Sequence, residues 1–138
     1  MKAYKGFDKD LKCRDFQYEI GKEYEEKEAK ACENSEGSVA INTGNHSTVI
    51  NNAVESIALN MGRRAEASVT EEGSIAIATG IQSRAKGGLG SAIVLVERTT
   101  WNGYRYPLNN IKAAIVDGKK IKADTWYTLR NGEFVECD

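Results

Sequence analysis

A nine-residue rhythm runs from Ser38 to Glu97 and leaves few folds open to this chain. In order, the units read SVAINTGNH, STVINNAVE, SIALNMGRR, AEASVTEEG, SIAIATGIQ, SRAKGGLG and SAIVLVE, the sixth being one residue short. A small residue opens every unit: Ser38, Ser47, Ser56, Ala65, Ser74, Ser83 and Ser91. Through six units the third position is Ala or Val: Ala40, Val49, Ala58, Ala67, Ala76 and Ala85. Self-similarity at a fixed period marks architectures in which each unit buries its face only against its neighbours.

Each unit begins with about four residues of alternating character and ends in turn formers, so it reads as a short strand and a corner. Side chains alternate across a strand, placing positions 1 and 3 on one face and positions 2 and 4 on the other. Ser and Ala at positions 1 and 3 suit a thin interior in which two backbones come close, with no room for Leu or Phe. Gly44, Gly62 and Gly80 recur at position 7, where a corner commonly requires positive φ.

The units also alternate in character. The first, third and fifth place Val39/Ile41, Ile57/Leu59 and Ile75/Ile77 on the outer face; the second, fourth and sixth place Thr48/Ile50, Glu66/Ser68 and Arg84/Lys86 there. Two nine-residue strands per 18-residue coil predict an all-β, flattened parallel β-roll, a β-solenoid of a little over three coils. At about 4.8 Å per coil such a stack is roughly 15 Å tall. An antiparallel meander with turns nine residues apart is the alternative, and it does not account for the segregation of the two outer faces.

The 138 residues suffice for one compact unit. Three segments are expected: a charged strand and short-helix segment at 1–37, the roll at 38–97, and an antiparallel β cap at 98–138. No apolar run is long enough to span a membrane, and no secretory leader is recognised. A net charge of −1 argues against a strong nucleic-acid footprint. Three cysteines, Cys13, Cys32 and Cys137, leave at least one thiol unpaired within the chain, which favours a reducing, cytoplasmic setting.

Residues 1–37 carry 8 Lys/Arg and 10 Asp/Glu. The alternation of Phe16, Tyr18 and Ile20 predicts a strand, and the composition of Glu23–Cys32 a short helix. The opening MKAYKGFDKDLKCRDFQYEIGKEYE resembles that of an uncharacterised family of bacterial and phage proteins in which N-T-G-x-x-S-x-A repeats follow. Asn42-Thr43-Gly44 with Ser47, and Thr79-Gly80 with Ser83 and Ala85, are similar to that repeat, and KKIKADTWYTLRNGEFVE to the family's ending. The resemblance implies phage or prophage origin and carries no activity. A Gly-Phe-His run found in relatives before Ala-Cys-Glu is missing ahead of Ala31-Cys32-Glu33.

Beyond Gly90, Ser91–Glu97 is a continuous apolar strand. Asp117-Gly118 between Ile111–Val116 and Lys119–Lys122 predicts one hairpin, and Asn131-Gly132 between Thr125–Leu129 and Glu133–Glu136 a second. This aromatic-rich segment, with Trp101, Tyr104, Tyr106, Trp126 and Tyr127, is expected to cap the last coil.

Few residues invite a chemical reading. His46, the only histidine, falls in a corner with no nucleophile or acid that the pattern places beside it, and is expected to be solvent-exposed. Calcium-binding rolls need an aspartate in each corner, and none lies between Asp15 and Asp117. Asn42, Asn51 and Asn60 instead suggest hydrogen bonds up the stack. Arg63, Arg64, Arg84 and Lys86 form at most a solvated polar patch, with Glu66 and Arg84 neighbours in adjacent coils. The Gly87–Gly90 run lacks the Lys-Ser/Thr of a phosphate loop and reads as a bend. No cofactor or metal is expected.

The greasy outer face is the strongest candidate site. Val39, Ile41, Ile57, Leu59, Ile75, Ile77, Ala92, Val94 and Val96 form an apolar patch larger than monomers usually expose, to be covered by the chain's own ends or by another subunit. The expectation is a non-enzymatic interaction protein that self-associates as a dimer or trimer, as a phage structural accessory or an inhibitory binder of a host or phage protein. The rival expectation is an enzyme or small-ligand binder with its site in the C-terminal aromatic sheet or between subunits.

Overall fold

The computed structural model describes residues 37–138 and three short preceding strands, β1 (Lys12–Cys13), β2 (Phe16–Gln17) and β3 (Glu28–Lys30). The repeat folds as a parallel β-solenoid of about three turns, and no helix occurs among the described residues. Strands β4 (Val39–Asn42), β6 (Ile57–Asn60), β8 (Ile75–Ala78) and β10 (Ala92–Arg98) stack in one sheet. Strands β5 (Thr48–Asn51), β7 (Glu66–Val69) and β9 (Arg84–Gly87) stack in the other. The register follows the 18-residue spacing: Val39, Ile57 and Ile75 share one row, and Thr48, Glu66 and Arg84 another.

Positions 1 and 3 face inward as the alternation requires. Ala58, Ala67, Ala76 and Ala85 are fully buried between the sheets. One inward column runs Ala40, Ala58, Ala76, Ile93, and the next runs Asn42, Asn60, Ala78, Leu95. The interior is thus thin and partly polar below, thick and apolar at the top. The asparagines do not form a side-chain ladder. Asn60 Nδ2 donates to the Ser47 and Glu66 carbonyls, in successive coils, while its Oδ1 accepts the Gly62 N–H. Asn51 bridges the Ser38 and Ile57 carbonyls in the same way. Each amide stitches two coils across a corner. Among the described residues no buried side-chain polar atom lacks a partner.

Position 7 is not where φ is positive. The left-handed residue is the one just before each opening Ser or Ala: Gly37, His46, Glu55, Arg64, Gly73, Gln82 and Gly90. There the chain turns while its N–H keeps bonding upward, His46 to the Arg63 carbonyl at 2.8 Å and Arg64 to the Ile81 carbonyl at 2.9 Å. Position 7 needs glycine for a different reason. A Cβ on Gly62 would overlap the carbonyl of Gly44 one coil below, and a Cβ on Gly80 that of Gly62.

At the top, β10 runs past the point where the lower coils turn and reverses through 99–107 into β11 (Leu108–Ile115), antiparallel beside it. The chain then crosses to the second sheet. The Asp117-Gly118 pair makes this crossing rather than a hairpin, and Lys119–Lys122 is not a strand: Asp117 Oδ1 accepts the N–H groups of Lys119, Lys120 and Ile121, coiling the backbone around one carboxylate. The second hairpin forms as the turn chemistry dictates. Strands β12 (Trp126–Arg130) and β13 (Glu133–Cys137) flank Asn131 and Gly132, both at positive φ. Strand β12 pairs antiparallel with β9, and Val116, Ile121, Tyr127 and Leu129 join the core around Ile93 and Leu95. The cap therefore extends both sheets and closes the interior between them.

The helix expected over Glu23–Cys32 is corrected where the structure describes that stretch. Glu28–Lys30 is a strand, parallel to Thr48–Ile50, because pairing with a free sheet edge outweighs a weak helix propensity. Of the strand expected from Phe16 to Ile20, Phe16–Gln17 pairs with Lys12–Cys13; Tyr18 and Ile20 lie outside the described residues.

Candidate protein interface on the apolar sheet

The outward positions of the first sheet form unbroken apolar rows. Val39, Ile57, Ile75 and Ala92 lead across β4, β6, β8 and β10 to Ile115 on β11, and Ile41, Leu59, Ile77 and Val94 lead to Ala113. Interior members shield one another and are half-buried, whereas Val39 and Ile41 at the lower edge are 58 % and 51 % exposed. None of these positions carries a charge. Among the described residues no further strand of the roll or its cap packs over this face.

Strand β11 decides how the face is to be understood. Ile111 and Ile115 turn outward, 72 % and 69 % exposed, and continue the patch. Lys112, between them, turns the other way: its Nζ reaches the Gly132 carbonyl at 3.0 Å and Glu133 Oε2 at 2.7 Å. A strand whose outer face served only to meet water would present the lysine and bury the isoleucines. Ile111, Ala113 and Ile115 alternate visibly in the sequence, but only the pairing of β11 with β10 shows that this segment widens the face rather than covering the roll. Val96, paired with Ile111 across β10 and β11, lies beyond the corner reached by the lower coils and is itself buried.

The second sheet's outer face is chemically closed. Glu66 accepts from Thr48 Oγ1 at 3.0 Å and pairs with Arg84 at 2.7 Å, as the register of adjacent coils requires. Arg84 lies 4.8 Å and Lys86 5.0 Å from the Trp126 ring centroid, so the cap's tryptophan engages both cations. Arg64 Nε donates to Gln82 Oε1, and Arg63 is exposed in its corner.

An open crevice of about 670 Å³ lies where the last corner meets β12 and β13, lined by Arg64, Arg84, Arg98 and Arg130 among others. Most of its polar groups are already used. Arg98 donates to the Thr79 and Tyr106 carbonyls, and Glu97 accepts from the Asn131 and Gly132 N–H groups and from Asn110 Nδ2. Asn110 is the main reason Glu97 titrates below an ordinary carboxylate, followed by the Asn131 N–H. Cys137 is a free, half-buried thiol, which burial pushes up in pKa.

His46 is exposed in its corner. No group of three or more histidine, cysteine or carboxylate side chains among the described residues has the arrangement of a metal site. The Gly87–Gly90 run is the roll's last corner: a Cβ on Gly87 would meet Ser91 Oγ, and one on Gly88 the Thr70 carbonyl. No described helix is long and apolar enough to cross a membrane. No curated protein and no solved structure matches the chain. Residues 1–47, up to the first corner of the roll, are similar to the family described as Domain of unknown function (DUF7666).

Proposed function

We propose that this chain acts without catalysis, as an interaction protein that self-associates through the apolar face of its first sheet. The observation that carries this reading is the polarity of β11, which turns Ile111 and Ile115 out and Lys112 in. The cap could have ended the patch and instead enlarges it. Five strands at about 4.8 Å, each with two or three outward residues, give a plan area on the order of 400 Å² per copy. A pair then buries roughly 800 Å² from the sheets alone, and its rims bring it near the ~1,000 Å² of a specific contact. An uncharged, flat, self-complementary surface fits another copy of itself better than a charged partner.

A setting in a phage or prophage, as a structural accessory or as a binder of a host or phage protein, accords with the opening's resemblance. Native mass tests the proposal. Wild-type protein is expected to sediment as more than one chain at micromolar concentration. Ile75→Lys, in the middle of the face, is expected to yield a folded single chain with unchanged β-sheet circular dichroism. A wild type that stays a single chain throughout a concentration series overturns the proposal.

A further inference from the structure

The two corner columns that flank the apolar face carry opposite charge. Strands β4, β6, β8 and β10 all start from the column formed by 52–55, 70–73 and 88–90 and, through β8, end at the column formed by 43–46, 61–64 and 79–82. The first column presents Glu55, Glu71 and Glu72, all exposed, and no cation. The second presents His46, Arg63 and Arg64, all exposed, and no carboxylate. Among the described residues, none of these glutamates or arginines forms an ion pair within its own chain. At the top of the acidic column, Asp117 is followed by the exposed Lys119 and Lys120, so the separation of charge belongs to the coils below the cap.

Heights match as well as signs. The Arg63–Arg64 corner joins β6 to β7, between the β5–β6 corner with Glu55 and the β7–β8 corner with Glu71 and Glu72. With coils about 4.8 Å apart, the arginines stand within roughly half a coil of each acidic level. Two flat faces can meet about a two-fold axis along the strands or about one along the roll. The first sets arginine column over arginine column and glutamate column over glutamate column. The second sets each basic column over an acidic one, twice, at matching height. Resting on the reading of the face as self-associating, we propose that a second copy packs on it with its roll axis parallel and its strands antiparallel across the interface, basic corners against acidic corners. A closed two-fold pair satisfies both rims at once.

Charge reversal tests the direction of packing separately from the face. Three variants are compared with wild type by sedimentation: Arg63→Glu with Arg64→Glu, Glu71→Lys with Glu72→Lys, and all four together. Each double variant is expected to pair about tenfold more weakly, having like charges at both rims, and the fourfold exchange is expected to restore pairing. Added salt is expected to weaken the wild-type pair. All six positions of charge are exposed corners, so thermal unfolding of the variants at a concentration where each is a single chain is expected to match wild type. A pair that Ile75→Lys breaks but that none of the three exchanges alters, and that salt strengthens, overturns the parallel arrangement while leaving the apolar face as the interface. A wild type without any pair overturns both.

Discussion

The lower coils and the capped top coil solve one problem, filling the space between two parallel sheets, in opposite ways. The column Ala40, Ala58, Ala76, Ile93 and the column Asn42, Asn60, Ala78, Leu95 each cross from one solution to the other. Below, the backbones approach closely, and alanine, serine, hydrogen-bonded asparagine and no apolar side chain larger than Val49 and Val69 fill the interior. Above, Ile93 and Leu95 meet Val116, Ile121, Tyr127 and Leu129 from the cap. A repeating unit has to accept identical neighbours on both sides and stays narrow. The last coil meets the cap instead, and there an ordinary apolar core forms.

The largest effect is expected where backbone meets backbone. Gly62→Ala would drive a methyl group into the Gly44 carbonyl, which is fixed by the coil it belongs to. A loss of at least about 4–5 kcal/mol is expected, in the range reserved for severe lesions. Gly103→Ala, in the exposed turn after β10 with φ near 92° and open space around it, is expected to cost only about 1 kcal/mol. Denaturant midpoints that moved equally for the two would remove the close approach of coils from the account of the repeat.

Next come two mirror substitutions in one column. Ala58→Leu overfills the thin coil and is expected to cost about 3 kcal/mol, the upper part of the overpacking range. Ile93→Ala empties the thick coil and is expected to cost about 3 kcal/mol through lost burial and a cavity. The comparison sharpens if the conservative changes diverge: Ala58→Gly should be mild beside Ile93→Ala, because there is little side chain to remove. If Ala58→Leu unfolded no more readily than wild type, the lower interior would have room that the register denies it.

Much of this division was legible in the residues, and the part that was not has a physical explanation. Period nine and its alternation over 18 residues yield the coil, the inward Ala and Ser, and the Glu66–Arg84 pair, because each depends only on repeated local geometry. The cap is built from single, unrepeated events. Asp117 accepting three N–H groups reads as a hairpin when only the dipeptide is considered, and Glu28–Lys30 reads as helix until the free edge of β5 is there to pair with it. The outward face was visible on the coils, but its continuation to Ile111 and Ile115 depends on which side of β10 the cap returns to. The positive-φ residue is hidden for a related reason, since glycine at position 7 answers to a neighbour 18 residues away rather than to its own torsion angle.

Asn60 offers a smaller test of the polar solution. Asn60→Ala leaves the Ser47 and Glu66 carbonyls and the Gly62 N–H without their partner, and a cost of about 2 kcal/mol is expected by chemical denaturation. Asn60→Leu imitates Leu95 at the same position of the column. It is expected to be worse than Asn60→Ala, because the coil that holds it is as narrow as the one below. An Asn60→Leu variant as stable as wild type would mean that the top coil's apolar filling can replace the stitches anywhere in the stack.

The smallest effect separates the two regions by pH. Glu97, Asp117 and Glu136 all titrate below ordinary carboxylates, and all belong to the cap or the end of β10 that carries it. For Glu97 the causes are the Asn110 amide first and the Asn131 N–H next; for Asp117 they are the N–H groups of Lys119 and Ile121; for Glu136 it is Lys122. A carboxyl group whose folded pKa is depressed lends stability that is complete above its unfolded pKa and disappears as pH falls through the lower, folded value. Acid is therefore expected to loosen the cap below about pH 4.5, the ordinary glutamate value, before it reaches the stitched coils. Hydrogen exchange read by mass spectrometry can resolve the order: the Asn131 and Gly132 amides, bonded to Glu97, should lose protection at a higher pH than the Gly62 amide, bonded to the neutral Asn60. Glu97→Gln should remove most of that pH dependence from the Asn131–Gly132 turn and leave Gly62 untouched. Simultaneous loss of protection at both places, in wild type and variant alike, would mean that the roll and its cap open as one unit and that the contrast between them ends at packing.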